Sequence, residues 1–484
     1  MLMITKRLIV TMATGLVGLI AGTRATAQIG TRFPSERRVV KDSVTGTMLT
    51  FLTSKPAGDS KIYQTHLQWS ADGHWLIFRS DRVKGEAMAV NEKTGDLVQV
   101  SEGGYTGMLN IARKSMKLYF MRNTGTAPAD RPDRTRTTDS SAARTRNNAL
   151  QIIEVDLAKL FADSEAGRLQ PATVYQRVCG TTPPELGAGG DMALDADENW
   201  VYFRVGKTEA AKYLPPDTKM AGTFGPRNMG AGPAGLAAMN VRTGELKHVV
   251  SVPFQVGHIQ TNPWVPGEIV FCWETGGKSP QRTWTVRADG TGLRPLYPES
   301  DYEWVTHEAV IGRDEVALAI MGHRKINMAN RTALVSNTGP VIGGGTEVVN
   351  PQNPGQETDW GPSGTREKPT GLGIVNLRTR EMVIVGQTPS GSGLWHVHGS
   401  SDGRWAVGDD FARNIYLIDR HTREMKLLSA GHKTTAADHP HPTFSPDGTR
   451  IQIQSALLSA DNRSMNICIV PVPADWLKRQ YPGN

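Results

Sequence analysis

Cysteine is scarce in this sequence. The three cysteines, Cys179, Cys272 and Cys468, are too few to form a disulfide framework. Cys272 and Cys468 stand between large apolar residues, a setting typical of strand interiors, where a free thiol acts as a small apolar side chain. We therefore expect neither metal binding nor redox chemistry to depend on cysteine.

Long apolar runs are also missing, apart from a short one near the start of the chain. Residues 8–20 are mostly apolar, follow Lys6 and Arg7, and precede the small residues Ala25-Thr26-Ala27. This order is typical of a secretory signal peptide, and the run is too short to span a bilayer comfortably, as an uncleaved membrane anchor would have to. We predict a signal peptide at residues 1–27 and a periplasmic or secreted mature protein, residues 28–484, with no membrane span.

Charge of one sign is not strongly in excess. Residues 1–27 contain three basic residues and no acidic residue, so their removal lowers the formal net charge from +7 to +4. This basic excess is too small and diffuse to indicate nucleic-acid binding. It is compatible with an acidic small substrate or polysaccharide as the partner.

The sequence does contain a repeated unit of four short β-rich runs separated by Asp-Gly or Thr-Gly turns. Seven such units follow one another, and the seventh, from His439 to Val472, supplies only three good strands. Residues 48–53 near the N-terminus fit the missing outer strand. We therefore predict an all-β fold, a seven-bladed β-propeller whose ring is closed by an N-terminal strand, in one domain.

Two insertions interrupt the repeat. Residues 123–148 are rich in Arg, Thr, Ser, Asp and Ala, and residues 325–372 are dense in Gly, Pro and Asn. Loops of this length either form a rim on the substrate side or face solvent without a role, and the sequence leaves both open.

Histidines concentrate at one position of the repeat. His66, His396 and His441 each stand six residues before the aspartate of a turn, and His439 lies two residues before His441. His258 and His307 open two further units. Because the first strand of every propeller blade lines the central channel, we expect these imidazoles to converge at a metal or proton-transfer site. A single histidine, such as His66 or His396, could instead only satisfy buried backbone groups.

Several motifs, taken in order along the chain, resemble the oligogalacturonate lyases, seven-bladed propeller enzymes of pectin breakdown. They are Phe33-Pro34-Ser35-Glu36-Arg37-Arg38, Phe78-Arg79-Ser80-Asp81-Arg82, Gly257-His258, Phe271-Cys272-Trp273-Glu274, Gln281-Arg282-Thr283-Trp284, Thr306-His307-Glu308, Gly408-Asp409-Asp410 and Asp438-His439-Pro440-His441. The resemblance spans nearly the whole predicted mature chain.

The resemblance implies a role for each site histidine. His258 would be the catalytic base, and His307, His439 and His441 would bind a divalent metal, with manganese as the implied ion. We expect His66, His396 and Arg282 to contact substrate, although Arg282 could instead brace Glu274. Glu308 could orient His307 or be an exposed rim charge.

The chain departs from the family pattern at two places. Ala436 stands where the family has a glutamine, three residues before the first histidine of His439-Pro440-His441, and alanine cannot bind a metal. The arginine expected near the substrate falls at about Pro233, and the nearest arginine is Arg227. Water or another residue must therefore take the place of the glutamine.

Three functions agree with these observations. The first is an exported lyase that cleaves short uronate-containing oligosaccharides by metal-assisted β-elimination. The second keeps the fold and chemistry but acts on another acidic polysaccharide, of the ulvan or rhamnogalacturonan type. The third is a non-catalytic periplasmic propeller scaffold, since Ser-Pro-Asp-Gly turns are generic, but such a scaffold does not need clustered histidines.

Overall fold

A short turn that recurs along the chain defines the architecture. In the computed structural model of the protein, the serine hydroxyl of each Ser-x-Asp-Gly turn donates to the aspartate, and the first backbone N–H of the next strand donates to the serine hydroxyl. The glycine has a φ of 72°, 76° or 68°, which residues other than glycine rarely adopt. These turns are Ser70–Gly73, Ser400–Gly403 and Ser445–Gly448.

The structure describes residues 28–124, 149–224, 228–275, 279–299, 303–323, 370–387 and 393–481. The predicted signal peptide, most of both insertions and Arg227 lie outside these ranges. The assignment of residues 28–484 to one domain stays a prediction.

In the described ranges the strands form seven antiparallel sheets, each one blade. The first strands of successive blades contact one another from blade 2 to blade 7, so they surround the axis. From the first strand outward, blade 1 contains Ser60–Lys61, Trp75–Arg79, Ala87–Asn91, Leu97–Gln99 and Arg32–Phe33; blade 2 contains Thr106–Ile111, Lys117–Asn123, Leu150–Asp156 and Gln176–Thr181; blade 3 contains Met192–Leu194, Trp200–Val205, Ala231–Asn240 and Leu246–Phe254; and blade 4 contains Val256–Thr261, Glu268–Trp273, Thr283–Arg287 and Arg294–Pro295. Blade 5 contains Glu303–Gly312, Glu315–His323, Gly371–Asn376 and Met382–Gly386; blade 6 contains Val397–Gly399, Trp405–Asp409, Ile415–Asp419 and Met425–Ser429; and blade 7 contains Thr443–Phe444, Arg450–Ser455, Asn466–Pro471, Met48–Phe51 and Arg38–Lys41.

The predicted ring closure is confirmed. Met48–Phe51 pairs with the last strand of the chain, Thr50 opposite Ile469 and Phe51 opposite Cys468. The segment just before it, Arg32–Phe33, pairs with the outer strand of blade 1. The N-terminal residues therefore join the two blades at which the ring begins and ends.

Apolar side chains fill the spaces between neighbouring blades. One buried cluster combines strands of blades 2 and 3, and another combines blades 7 and 1. Cys272 and Cys468 lie in strand interiors, as predicted, and burial raises the pKa of both thiols.

Helices are few and short in the described residues. They are the α-helices Leu157–Glu165, Lys207–Ala211 and Ala474–Leu477 and the 3₁₀ turns Ala172–Val174 and Pro184–Leu186. The first begins at Asp156, whose carboxylate accepts from the N–H of Lys159. No helix in these ranges has the length and apolar character that a membrane crossing requires.

Phe51 offers a direct test of the closure. Its side chain is fully buried in the closing strand. Phe51→Ala is expected to lower the free energy of unfolding by about 3–5 kcal/mol, because it removes a large buried side chain and leaves a cavity. Denaturant unfolding of this variant beside Val39→Ala, an exposed position in the neighbouring strand, measures the effect. Equal stability of the two variants would show that the closing strand does not hold the ring.

Candidate functional site

Two of the predicted site histidines lie on equivalent irregularities of the first strands of blades 4 and 5. In blade 4 the register shifts by one residue between Gly257 and Gln260, and in blade 5 it shifts by one residue between Val305 and Glu308. Each β-bulge therefore contains a histidine, His258 or His307. Bulges turn side chains out of the regular alternation of a strand, and they are frequent beside active sites.

His258 and His441 have a left-handed backbone conformation that is uncommon for residues other than glycine. Their φ angles are 48° and 51°. Such a conformation costs free energy and persists only where the surrounding structure imposes it. At His441, Gln454 helps to hold this backbone conformation. Its backbone N–H donates to the carbonyl of Pro440, and its side-chain amide donates to the carbonyl of His439.

A tyrosine that the sequence reasoning missed lies among the histidines. The inner edge of blade 1 is not one continuous strand: Ser60–Lys61 pairs with the next strand, and after it Trp69 forms a single bridge with Leu76. Tyr63 lies in the intervening irregular segment. Its ring centroid is 5.0 Å from that of His258, 5.1 Å from His441, 6.1 Å from His396 and 6.3 Å from His307. Five blades thus contribute aromatic rings to one place.

His396 lies at the centre of the predicted metal ligands. Its ring centroid is 3.6 Å from that of His441, 4.2 Å from His307 and 5.3 Å from His439. His258 adjoins the group, 5.8 Å from His307. The structure therefore brings the three predicted ligands and the predicted base together, and it brings His396 among them.

Acceptor groups face the Nδ1 atoms of four imidazoles, those of His307, His396, His439 and His441. The carbonyl of Trp395 lies 2.8 Å from His307 Nδ1, and Gln64 Oε1 lies 2.8 Å from His441 Nδ1. Asp409 Oδ2 lies 3.3 Å from His396 Nδ1 and 3.2 Å from His439 Nδ1. In His307, His396 and His439, an acceptor at Nδ1 favours the ring proton there and the lone pair on Nε2, the arrangement typical of metal-binding histidines. His441 differs, because its Nε2 lies 3.1 Å from the carboxylate of Asp438.

The electrostatics favour the neutral form of two of these rings, His396 and His307. Burial, together with the neighbouring histidines, lowers the pKa of His396 to about 3 and that of His307 well below its usual value. Burial alone would raise the pKa of Asp409, but the rings of His396 and His439 hold it far below its usual value. Neutral imidazole nitrogens suit a divalent transition ion, so this donor set fits the implied metal. Potential ligand atoms of His396, Asp409 and His439 lie within 4.8 Å of one another.

His258 is held by a buried ion pair. Glu308, fully buried, has one carboxylate oxygen 2.8 Å from His258 Nδ1 and the other 3.0 Å from Arg282 Nε. Glu274 lies 3.5 Å from His258 Nε2. Burial by itself would lower the pKa of His258, but the carboxylate of Glu308 raises it above its usual value. Glu308 is therefore neither a rim charge nor a partner of His307, and it orients His258 instead.

Arg282 occupies the interior of this group. It is 2 % exposed, and besides Glu308 it approaches Glu274 at 3.9 Å. This position favours the bracing role over direct contact with substrate.

His66 is positioned differently from the other histidines. Its Nδ1 contacts the hydroxyl of Thr65 and its Nε2 contacts the carbonyl of Met192, so both ring nitrogens are engaged by the protein. Together with Asn110 and Asp195 it lines a small open pocket. Contact between His66 and substrate stays a prediction.

The structure shows the surroundings of Pro233 and Ala436, the two positions at which the sequence departs from the family pattern. Pro233 lies within the third strand of blade 3, and Arg227 lies outside the described residues. Ala436 packs with Ala456 and Met465 in a small apolar cluster, and its carbonyl accepts from Arg413.

Two solved structures match nearly the whole chain. An oligogalacturonate lyase in complex with manganese superimposes with a TM-score of 0.64 at 16% sequence identity, covering 93% of this chain and 100% of that one. An oligogalacturonate lyase from Vibrio parahaemolyticus gives 0.63 at 17% identity, with the same coverages. The chain has the fold of the oligogalacturonate lyases.

This likeness confirms the seven-bladed propeller and the resemblance seen in the sequence, and at such identities it concerns the fold alone. A TolB from Acinetobacter baumannii also matches, with a TM-score of 0.35 at 9% identity over 82% of this chain and 80% of that one, too distant to support an argument. No protein-family model and no curated protein matches the sequence.

Proposed function

We propose that this protein is an exported lyase that cleaves short uronate-containing oligosaccharides by β-elimination, with His258 as the base. The observation that carries the proposal is the fixed orientation of His258. Its Nδ1 faces the buried carboxylate of Glu308, so Nε2 is the nitrogen that accepts a proton, directly beside the other imidazoles. Residues 1–27 would direct export, and the mild basic excess of the mature chain suits an acidic substrate.

The reaction explains why both a base and a cation-binding group are needed. A uronate lyase removes the proton at C5, beside the sugar carboxylate, and expels the oxygen at C4. That proton is very weakly acidic, because the carbanion would add negative charge next to an existing carboxylate. His258 removes the proton, Glu308 stabilises the imidazolium that forms, and Arg282 keeps Glu308 ionised and in place.

His307, His439 and His441 would hold the divalent ion, with manganese proposed because one structural neighbour is a manganese complex. When bound, such an ion withdraws charge from the substrate carboxylate and so stabilises the developing carbanion. Asp409, Gln64 and the carbonyl of Trp395 would orient the imidazoles through their Nδ1 atoms.

The test is incubation of the purified protein with oligogalacturonides and Mn²⁺. The expected result is a rise in ultraviolet absorbance from the unsaturated product, lost after treatment with a chelator and restored by added Mn²⁺. A panel with ulvan and rhamnogalacturonan fragments identifies the polymer, since the differences at Ala436 and Pro233 favour a substrate other than the one acted on by the structural neighbours. Absence of product from every uronate in the panel, with metal bound, would refute the proposal.

A further inference from the structure

Three donor atoms of blade 4 lie close together at the edge of the histidine group. They are His258 Nε2, Cys272 Sγ and a carboxylate oxygen of Glu274, and all lie within 4.8 Å of one another. Glu274 Oε2 is 3.5 Å from His258 Nε2 and 3.7 Å from Cys272 Sγ. The ligand atoms of a tetrahedral zinc ion are separated by about 3.3–3.7 Å, because Zn–N and Zn–O distances are about 2.0–2.2 Å and Zn–S is about 2.3 Å. Both distances from Glu274 therefore have the size that one such ion requires.

Two neighbouring strands of blade 4 place these atoms. Cys272 and Glu274 are two residues apart on an extended segment, so their side chains point to the same face. Gly257 lies opposite Cys272 in the register, and a Cβ at Gly257 would come within 2.9 Å of Glu274 Cβ. The glycine therefore leaves room for the carboxylate, and the β-bulge that follows it contains His258.

The charges in this part of the site suit a divalent cation. Glu308 pairs with Arg282, so this buried anion and cation offset each other. Burial raises the pKa of the Cys272 thiol, and such a thiol gives up its proton to solvent when it binds a metal. The carboxylate of Glu274 and the resulting thiolate then supply two negative charges against the two positive charges of the ion.

The donor set differs from the all-nitrogen set proposed for manganese. A thiolate is a soft ligand that favours Zn²⁺ over Mn²⁺. Because Nδ1 of His258 faces Glu308, its Nε2 lone pair is directed to the side of Glu274. The side chains of His258 and Glu274 are 19% and 16% exposed, so an ion can reach them from the site and keep a fourth position for water.

We propose that His258, Cys272 and Glu274 form a second metal site, selective for Zn²⁺ or another thiophilic divalent ion, and that zinc bound there inhibits elimination. Zinc occupies the Nε2 lone pair that otherwise accepts the C5 proton, so the base is blocked while the proposed Mn²⁺ site stays intact. The inhibition rests on the proposed function, whereas the binding of zinc does not. Cys272 thereby has a role that its apolar sequence neighbours did not indicate.

The experiment is titration of the chelator-treated mature protein with CoCl₂, since Co²⁺ replaces zinc in tetrahedral sites and gives a near-ultraviolet charge-transfer band when a thiolate is a ligand. Wild type is expected to develop this band and to lose it when ZnCl₂ is added. Cys272→Ala is expected to lack the band. Cys468→Ala is the matched control, because Cys468 is another fully buried cysteine in a strand interior, and it should give the wild-type band.

Inhibition by Zn²⁺ is measured on the same variants as the initial rate of unsaturated product formation in saturating Mn²⁺, each relative to its own zinc-free rate. The Zn²⁺ concentration that halves the rate is expected to rise at least about 10-fold in Cys272→Ala, because loss of a group that only orients a metal ligand already weakens binding by about 10–100-fold. It should stay at the wild-type value in Cys468→Ala.

Thermal unfolding first establishes that each variant is folded, and Cys272→Ser replaces Cys272→Ala if that variant is unfolded. A wild-type protein without the band, or a band that persists in a folded Cys272 variant, overturns the site. Failure of the proposed function is distinguishable: a Cys272-dependent band in a protein that eliminates no uronate supports the site and contradicts the activity. Elimination that continues unchanged when zinc has displaced Co²⁺ from the site contradicts the inhibition.

Discussion

Replacement of His258 by alanine is expected to lower kcat by about 10²–10⁴-fold, the range by which general-base catalysis accelerates a reaction. In the proposed mechanism this imidazole, whose Nδ1 faces Glu308, is the base, and alanine has no atom that can accept the C5 proton. Of the proposed metal ligands, His307 contacts His258 through ring packing, so Mn²⁺ binding should be retained. Initial rates of unsaturated product formation, with Mn²⁺ content measured on the same preparation, give both quantities.

The matched control is His74→Ala, since the side chain of His74 is 72% exposed in the Asp72-Gly73 turn. It should have the kcat of wild type. Full activity of His258→Ala would remove the base assignment, whereas loss of activity together with loss of Mn²⁺ would show that His258 acts through the metal group.

The architecture was predictable because several blades repeat the same turn chemistry. Ser-x-Asp-Gly turns and short apolar strands specify hairpins locally, and a seventh unit with three strands requires an additional strand, which Met48–Phe51 supplies. The approach of His258 and His307 was predictable for the same reason, whereas the two histidines of blade 7 lie in the segment just before its first strand, Thr443–Phe444. Equivalent positions of first strands face one axis.

The partners of those histidines were not predictable from spacing. Glu308 follows His307 in sequence, yet the bulge between Val305 and Glu308 and the packing of blades 4 and 5 bring its carboxylate to His258. Tyr63 enters the site because the first strand of blade 1 is interrupted. No repeat pattern encodes such an interruption.

Asp409 is another residue whose contacts with the histidines could not be predicted from spacing. It ends the apolar strand Trp405–Asp409, and although Gly408-Asp409-Asp410 is one of the motifs of the resemblance, the motif assigned Asp409 no role. Its role appears when blades 6 and 7 meet and His439 comes within 3.2 Å of its carboxylate. A buried acid at the end of an inner strand, in register with histidines of the next blade, is the signal that would have identified it.

Glu308→Gln is expected to affect activity and stability together. The amide keeps the shape of the side chain but removes the charge that pairs with Arg282 and stabilises protonated His258. Breaking a buried ion pair by neutralising one partner costs about 3–5 kcal/mol, because it leaves an uncompensated charge. Here Glu274, at 3.9 Å from Arg282, offsets part of that cost, so about 3 kcal/mol is expected. We also expect kcat to fall while KM changes little, since Glu308 is fully buried and acts through His258.

The double variant Arg282→Met/Glu308→Gln separates the two effects. Removing both charges eliminates the uncompensated cation, so much of the lost stability should return, whereas the base still lacks its orienting carboxylate and kcat should stay low. Urea unfolding and steady-state kinetics are the measurements, with Glu315→Gln as control because its ion pair with Arg420 is partly exposed and should contribute no more than about 1 kcal/mol. If stability and kcat recover together in the double variant, Glu308 supports the fold and not the base, and the proton-transfer role of His258 would need a different orienting group.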